Sequence, residues 1–321
     1  MKTGKMKLIP IFAVILMLAA AFWGCGKSKE QDATAVRVAS LKGPTSIGLV
    51  KLMEDNEAGL TKSNYEFNMY TAADEIVPLI AKGEIDVAAV PANLASVLYQ
   101  KTNGGISVIN INTLGVLYVV ENGTQINGVA DLKGKTVYMT GKGTVPEYAV
   151  RYILAQNGLS DADVTLEFKS EPTEVASILA QDAYAVGVLP QPFVTVACTQ
   201  NEKARIAVDL TKEWSDMLTG VTIVRNEFLK EHEGLVKTLL EDYKASTDYV
   251  NANVEAAAEL VEKYDIVKAA VARKAIPGCN VTSIAGKEMK EKLSKYLEAL
   301  YSQEPAAVGG KLPDETFYYG Q

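Results

Sequence analysis

The sequence is poor in the residues that carry most enzyme chemistry. One histidine and three cysteines serve 321 residues. His232 stands between Lys230-Glu231 and Glu233 on a charged helical stretch and is expected to be solvated surface. No His, Cys, Asp and Glu cluster has metal-ligand spacing, and no GxSxG turn presents an activated serine. The full GxxxxGK[ST] phosphate loop is missing. A metal centre, a serine hydrolase and a P-loop nucleotidase are therefore excluded as first readings, and no cofactor is expected. A pair of carboxylates brought together by folding stays open. Positive charge is also short: 32 Lys and Arg face 39 Asp and Glu, a net −7. Such a surface argues against nucleic acid as a partner. The apolar run Leu8–Trp23 is shorter than the ~20 residues of a spanning helix.

What is present begins at the N-terminus. Lys2, Lys5 and Lys7 precede the apolar run, and Gly24 precedes Cys25. That order is the pattern of an export signal over 1–24. A small residue before cysteine at the end of the run resembles the bacterial lipoprotein processing site, although Phe22 and Trp23 are bulkier than its usual residues. Cys25 is thus the expected lipid attachment site, where two acyl chains (palmitate among them) would make a stable membrane anchor. Plain secretion and an uncleaved anchor are the alternatives. Residues 25–34 are polar and form the expected tether. Removing the three lysines of the signal takes the net charge from −7 to −10. The body keeps two cysteines, Cys198 and Cys279, either bonded or as separate thiols.

The remaining body is long for one hydrophobic core and comfortable for two domains. It opens with strand-like alternation over Ala35–Ser40, a helical pattern through Met53, a strand at Tyr65–Tyr70 and a helix at Ala72–Ala81. Ile85–Val90 is almost wholly apolar, as a strand buried on both faces should be. The chain then repeats itself. Glu75–Pro91 matches Glu174–Pro190 without a gap at an offset of 99 residues, and the same offset puts Thr45 on Thr144. Similarity at that spacing predicts two domains built alike. β-rich stretches at Gly115–Glu121 and Thr219–Val224 mark two crossings between them, after which the pattern is helical. The expected fold is α/β and two-lobed, each lobe a mainly parallel sheet flanked by helices. Residues 35–118 open lobe 1, 119–221 form lobe 2, and 222–321 return to complete lobe 1. Paired crossings make a hinge that can close on a ligand.

Ligands of open α/β sheets bind beyond the carboxyl ends of the strands. That rule selects Pro44, Thr45 and Ser46 after the first strand, and Gly143, Thr144 and Glu147 at the matching place in the second half. Helix starts there would offer amides and a favourable dipole to a negative charge. Asn93 and Gln191 follow buried strands and would offer amides from opposite walls. Tyr70 ends a strand, and Asn112 and Thr113 precede the first crossing. Each has an ordinary structural reading beside the ligand-binding one: a cap, a loop amide or core cover.

These residues carry a family resemblance. Leu41-Lys-Gly-Pro-Thr-Ser-Ile-Gly48, Gly83-Glu-Ile-Asp-Val-Ala-Ala-Val-Pro-Ala-Asn-Leu94, Gly141-Lys-Gly-Thr-Val-Pro-Glu-Tyr148 and Gly310-Lys-Leu-Pro-Asp314 resemble the substrate-binding proteins of bacterial ABC importers, in the nitrate, sulfonate, taurine and thiamine-precursor group. The likeness covers nearly all of 35–321. It implies a type II periplasmic-binding-protein-like fold and an extracytoplasmic receptor held on the cell membrane, expected to act as a monomer. It further implies capture of a small polar or anionic organic molecule between closing lobes, for delivery to a membrane permease. The same resemblance leaves a second reading, an enzyme of thiamine- or menaquinone-pathway type on the same scaffold. The selected loops hold no arginine to grip a sulfonate with two hydrogen bonds. Lys42 and Lys142 would act only as flexible point charges.

Overall fold

Strands here are short apolar runs and helices are amphipathic segments that begin at glycine, proline or extended residues. In the computed structural model, which describes Met1 and residues 34–320, the chain runs β1 (Val36–Leu41), α1 (Pro44–Ile47), α2 (Val50–Glu57), β2 (Tyr65–Tyr70), α3 (Ala73–Ala81), β3 (Val87–Pro91), α4 (Ala92–Lys101) and β4 (Ile106–Leu114). It continues through β5 (Leu117–Asn122), β6 (Thr136–Met139), α5 (Val145–Gln156), β7 (Thr165–Phe168), α6 (Pro172–Gln181), β8 (Val186–Pro190), α7 (Phe193–Gln200), β9 (Ala204–Asp209) and α8 (Leu210–Glu213). The last third contributes β10 (Leu218–Arg225), α9 (Asn226–Glu231), α10 (Glu233–Ala252), α11 (Val254–Lys263), α12 (Ala269–Ala275), β11 (Val281–Ile284) and α13 (Gly286–Gln303). The expected export signal, Cys25 and the tether as far as residue 33 lie outside the described residues. No helix among the described residues is long and apolar enough to cross a membrane. Ala35 to the C-terminus forms one compact unit.

Two separate sheets organise that unit. One has the order β11-β4-β10-β3-β1-β2, the other β7-β6-β8-β5-β9. The repeat seen in the sequence is a repeat of positions: β1, β2 and β3 occupy the places of β6, β7 and β8, and the 99-residue offset lays β3 on β8 end to end. Even the helix starts agree. Glu75 Oε1 accepts the Ala72 amide at the head of α3, and Glu174 Oε1 accepts the Glu171 amide at the head of α6. Each is a side chain reaching back to satisfy a donor that the helix cannot.

The expectation of mainly parallel sheets needs correction. β1 pairs in parallel with β2 and β3, but β10 runs antiparallel to both β3 and β4, and β11 runs antiparallel to β4. In the second sheet β6 is parallel to β7 and β8, while β5 is antiparallel to β8 and β9. Both sheets are mixed because each receives a strand arriving from the other lobe. β5 leaves the first lobe and slots beside β8, and β10 leaves the second and slots beside β3. A strand that enters from the cleft side must run against the parallel set. Sheet membership changes at Gly115-Val116 and between Asp209 and Leu218, whereas changes at 118–119 and 221–222 were expected. Strands pair as units, so β5 and β10 fall wholly inside one sheet each.

The return segment is also less uniform than its helical pattern predicts. It contains β11, and its first helical stretch breaks at His232, whose backbone lies outside the helical region at φ −132°. The His232 ring is half-buried and packs against Phe228 at 4.8 Å, so it is not the solvated side chain expected.

One apolar cluster runs through both lobes, from Ile76, Val90 and Ile111 to Val137, Val188 and Leu218. Where the chain crosses back, three rings stack. Tyr152 of α5 lies 4.2 Å from Trp214, and Trp214 lies 5.1 Å from Tyr296 of α13. The stack therefore ties a second-lobe helix, the crossing segment and a helix packed on β4. Cys198 and Cys279 are both free thiols, which resolves the alternative left open by the sequence. Burial pushes both up, Cys279 to about 12. With so little thiolate at neutral pH, iodoacetamide at pH 7.5 is expected to label half-buried Cys198 slowly and Cys279 only after denaturation. Peptide mass spectrometry reads both. Rapid native labelling of Cys279 would contradict the packing around it.

Candidate functional site

A cavity of about 650 Å³ lies between the two sheets. Six strands that bring a carboxyl end to this face contribute to it. Leu41 ends β1 and Lys42, Pro44 and Thr45 follow it, and Thr140 to Pro146 follow β6. Thr71 to Asp74 follow β2, and Lys169, Ser170 and Pro172 follow β7. Pro91 ends β3 and Pro190 ends β8. The two crossing strands enter from this side, so Leu117 and Thr219 form the floor. The site is the gap between two copies of one loop arrangement.

Local sequence explains the wall of the second lobe. Gly141 has φ 81°, a conformation costly for a side chain, and an added Cβ would lie 2.8 Å from Pro146 Cγ and from Thr144 Oγ1. That turn lets the Thr144 amide and hydroxyl both donate to the Gly141 carbonyl, at 3.0 and 2.8 Å. The Thr144 hydroxyl therefore does not cap α5, as expected of it. In the first lobe the hydroxyls of Thr45 and Ser46 likewise donate back to Leu41 O, at 3.2 and 2.6 Å. Short hydroxyl side chains find the carbonyl four or five residues behind them more readily than an amide ahead. The first-turn amide of Val145 is left without an intrahelical partner beside the cavity.

The selected residues divide. Pro44, Thr45, Gly143 and Thr144 line the cavity together. The others do not. Ser46 is fully buried, its hydroxyl bonded to Ser40 and Leu41. Asn112 is buried, donating to Thr222 and accepting from Thr113. Glu147 accepts the Gly143 amide at 2.7 Å and pairs with Arg151, so its carboxylate closes the glycine turn. Gln191 accepts from the amide and hydroxyl of Thr195. Tyr70 is half-buried outside the lining, just ahead of Thr71. Asn93 is buried and donates to Ala307 O at 3.0 Å and, across the lobes, to Gly143 O at 3.4 Å. It holds one flank of the cleft closed. On the other flank Tyr118 of the second sheet reaches Gly278 O at 3.5 Å, and Gly43 faces the Phe193 ring.

Several lining residues escaped the sequence reading. The strand-end rule that selected the first loops applies equally after β2 and β7. The repeat pairs those two loops, so Thr71–Asp74 and Lys169–Pro172 were within its reach. Thr219 is less accessible to such reasoning. It reads as the start of a β run, yet its hydroxyl is buried without a hydrogen-bond partner. An unpaired buried hydroxyl is costly, and this one lies where a bound molecule would sit.

The cavity is electropositive. Lys42, Lys101, Lys142 and Lys169 line it against a single carboxylate, Asp74. Lys42 pairs with Asp265 at 3.1 Å and Lys169 with Glu167 at 2.5 Å. Lys142 lies over the Phe168 ring, 5.9 Å from its centroid. Among the described residues neither Lys101 nor Lys142 has a carboxylate partner. The remaining surface mixes hydroxyl side chains (Thr45, Thr71, Thr140, Thr144, Ser170 and Thr219) with five prolines and Leu41, Val77, Leu94, Leu117 and Val145, and has no aromatic ring. Among the described residues no three His, Cys, Asp or Glu side chains come close enough to hold a metal ion.

The likeness to known proteins follows this architecture. The solved structure of an ABC transporter protein from Parabacteroides distasonis superposes with a TM-score of 0.74 at 22% identity, covering 89% of this chain and 98% of the other. The alkanesulfonate-binding protein of Xanthomonas axonopodis pv. citri, solved bound to MOPS, gives 0.70 at 15% identity over 87% and 94%. At these identities the likeness is one of fold: a two-lobed, periplasmic-binding-protein-like α/β fold with open, mixed sheets. In sequence, a binding protein of Brucella abortus (strain 2308) is 26% identical over 192 residues, 58% of this chain. The match spans 58% of that relative's own length. The family described as NMT1/THI5 like matches residues 57–257, from the end of α2 to the start of α11, and so takes in the second sheet whole with most of the cavity wall. The chain belongs to the NMT1/THI5-like family.

Proposed function

We propose that the protein is the extracytoplasmic solute-binding receptor of an ABC import system, and that it captures a small anionic organic molecule between its two lobes. The observation that carries this reading is the cavity itself, built from equivalent loops of two similar sheets and lined by four lysines against one carboxylate. Pro44, Thr45, Gly143 and Thr144 contact the solute, and the buried Thr219 hydroxyl gains its missing partner from it. The sulfonate named for the Xanthomonas structure is one fitting chemistry. A flat heterocycle fits less well, because no lining ring offers a stacking face. Closure bends the chain at 115–116 and 210–217, moving 117–209 as one lobe against the other. Cys25 carries the lipid that holds the receptor, as a monomer, beside its permease.

An enzyme on this scaffold would need a convergent acid and base. Asp74 is the one carboxylate lining the cavity, and no histidine or cysteine joins it among the described residues.

A thermal-shift screen tests the reading. Alkanesulfonates, carboxylates, nitrate, pyrimidines, amino acids and peptides are offered to the purified protein. A true ligand at about 100 times its Kd adds about 2.7 kcal/mol to stability, so a saturable rise in Tm with the anions is expected, with no solute consumed. If every stabilising solute were also turned over, the receptor reading would be abandoned.

A further inference from the structure

The cavity is not a compact pit. Resting on the anion-receptor reading, we infer that it takes an elongated aliphatic solute with an anionic group at each end, and that Lys101 is the residue selecting for the second charge.

The geometry begins with the two helices that bound the first-lobe wall. α3 and α4 both start at the cleft, and Asp74, Val77 and Leu94 line the cavity from their first two turns. Lys101 also lines it, although it is the last residue of α4. Leu94 and Lys101 are seven residues apart, two turns along one helix face, and so ~10 Å along the axis. Long helical side chains lean toward the N-terminus, which turns the Lys101 chain back toward Leu94 and the cleft. The cavity therefore extends from the interlobe gap along a channel floored by Val77 and Leu94, and ends at a cation.

Lys142 and the first-turn amide of α5 line the same cavity from the wall of the second lobe. These two lysines are the ones without carboxylate partners, while Lys42 and Lys169 are already paired. A single small anion would satisfy one pole and leave the other lysine and the aliphatic channel in water. A volume of 650 Å³ lies within the range of drug-sized ligands, well beyond the needs of one anionic group. Prolines and aliphatic side chains along the channel suit a methylene spacer, and the missing aromatic face disfavours a flat one.

The test is isothermal titration of the purified protein with two homologous series, linear alkanesulfonates and α,ω-alkanedisulfonates of matched carbon number. At one optimal length the disulfonate is expected to bind about two- to fivefold tighter than its monosulfonate partner, the range of one ion pair to an exposed lysine. Lys101→Gln should erase that preference by lowering disulfonate affinity more than monosulfonate affinity. Circular dichroism of the variant checks its fold. Lys101→Arg, which keeps the charge, should retain the preference. Equal affinity of both series at every length would overturn the inference while leaving the anion receptor intact. So would a Lys101→Gln loss shared equally by mono- and disulfonates. If neither series bound and only neutral or cationic solutes did, the underlying anion reading would fall and take this inference with it.

Discussion

Replacing Asp86 with alanine is expected to lower the free energy of unfolding by about 3 kcal/mol, measured by urea denaturation at neutral pH. Asp86 is 1% exposed and joins three strands of the first sheet. Its carboxylate accepts the Arg37 amide at 3.1 Å, Arg37 Nε at 2.8 Å, Arg37 Nη2 at 2.6 Å and Arg225 Nη2 at 2.9 Å. Arg225 belongs to β10, the strand that returns from the second lobe, and its Nε also donates to Ile85 O. Removing the carboxylate leaves two guanidinium groups facing each other beside buried backbone. Arg37 is about a third exposed, with 36% of its side-chain surface accessible, and can turn to water. That relief sets the loss at the lower end of the range for broken buried pairs.

The same site fixes an acid sensitivity. Burial pushes the Asp86 carboxyl up, but the hydrogen bonds from Arg37 and Arg225 outweigh it and hold the group below the usual carboxylate range. A carboxyl with a lowered folded-state value contributes its full stabilisation above the ordinary aspartate pKa. That contribution is lost as pH falls through the folded value. The Ala variant should therefore lose less stability than the parent between pH 5 and about pH 2. Parallel stability curves for the two proteins over that interval would show that the ion pairs do not supply the effect.

Trp214→Ala should cost about 3–5 kcal/mol, the range for emptying a buried aromatic site. Trp214 is 6% exposed and is the middle ring of the stack with Tyr152 and Tyr296. Its loss removes transfer energy, leaves a hole at the junction of the lobes, and forfeits ring–ring interaction of about 0.5–1.5 kcal/mol. Trp214→Phe should cost less, since a ring remains between the tyrosines. Tyr296→Phe provides the contrast. Its hydroxyl is buried without a hydrogen-bond partner, so removing it is expected to be neutral or slightly stabilising. Thermal unfolding followed by far-UV circular dichroism reads all three, since two of them remove the body's single tryptophan. A Trp214→Ala loss below 1 kcal/mol would mean the stack does not join the lobes.

Much of this was visible in the residues. The strand Tyr65–Tyr70 and the helix Ala72–Ala81 were read within a residue of their observed bounds, because apolar runs flanked by turn residues leave few alternatives. The 99-residue repeat gave the pairing of lobes, and the strand-end rule gave Pro44, Thr45, Gly143 and Thr144. What failed depended on partners that only the folded chain assigns. Asn93 looks like a loop amide until Ala307, more than two hundred residues on, accepts its proton. Glu147 looks free until the Gly143 amide folds onto it. Strand direction was misjudged because β5 and β10 carry no local mark of which sheet will receive them. Lys101 was missed because a lysine at a helix end is ordinary surface in sequence. Only the fold makes it one end of a cavity.

The swapped strands also impose an order on synthesis. β5 to β9 are contiguous, so the second sheet has all its members once Asp209 has left the ribosome. The first sheet has not. β3 and β4 share no edge, and only β10 can sit between them. Until Arg225 emerges, the N-terminal strands are a half-built sheet with β3 unpaired on one side and β4 unattached. The N-terminal lobe thus matures last, and a chain arrested near residue 210 would carry a finished second lobe beside an aggregation-prone open edge.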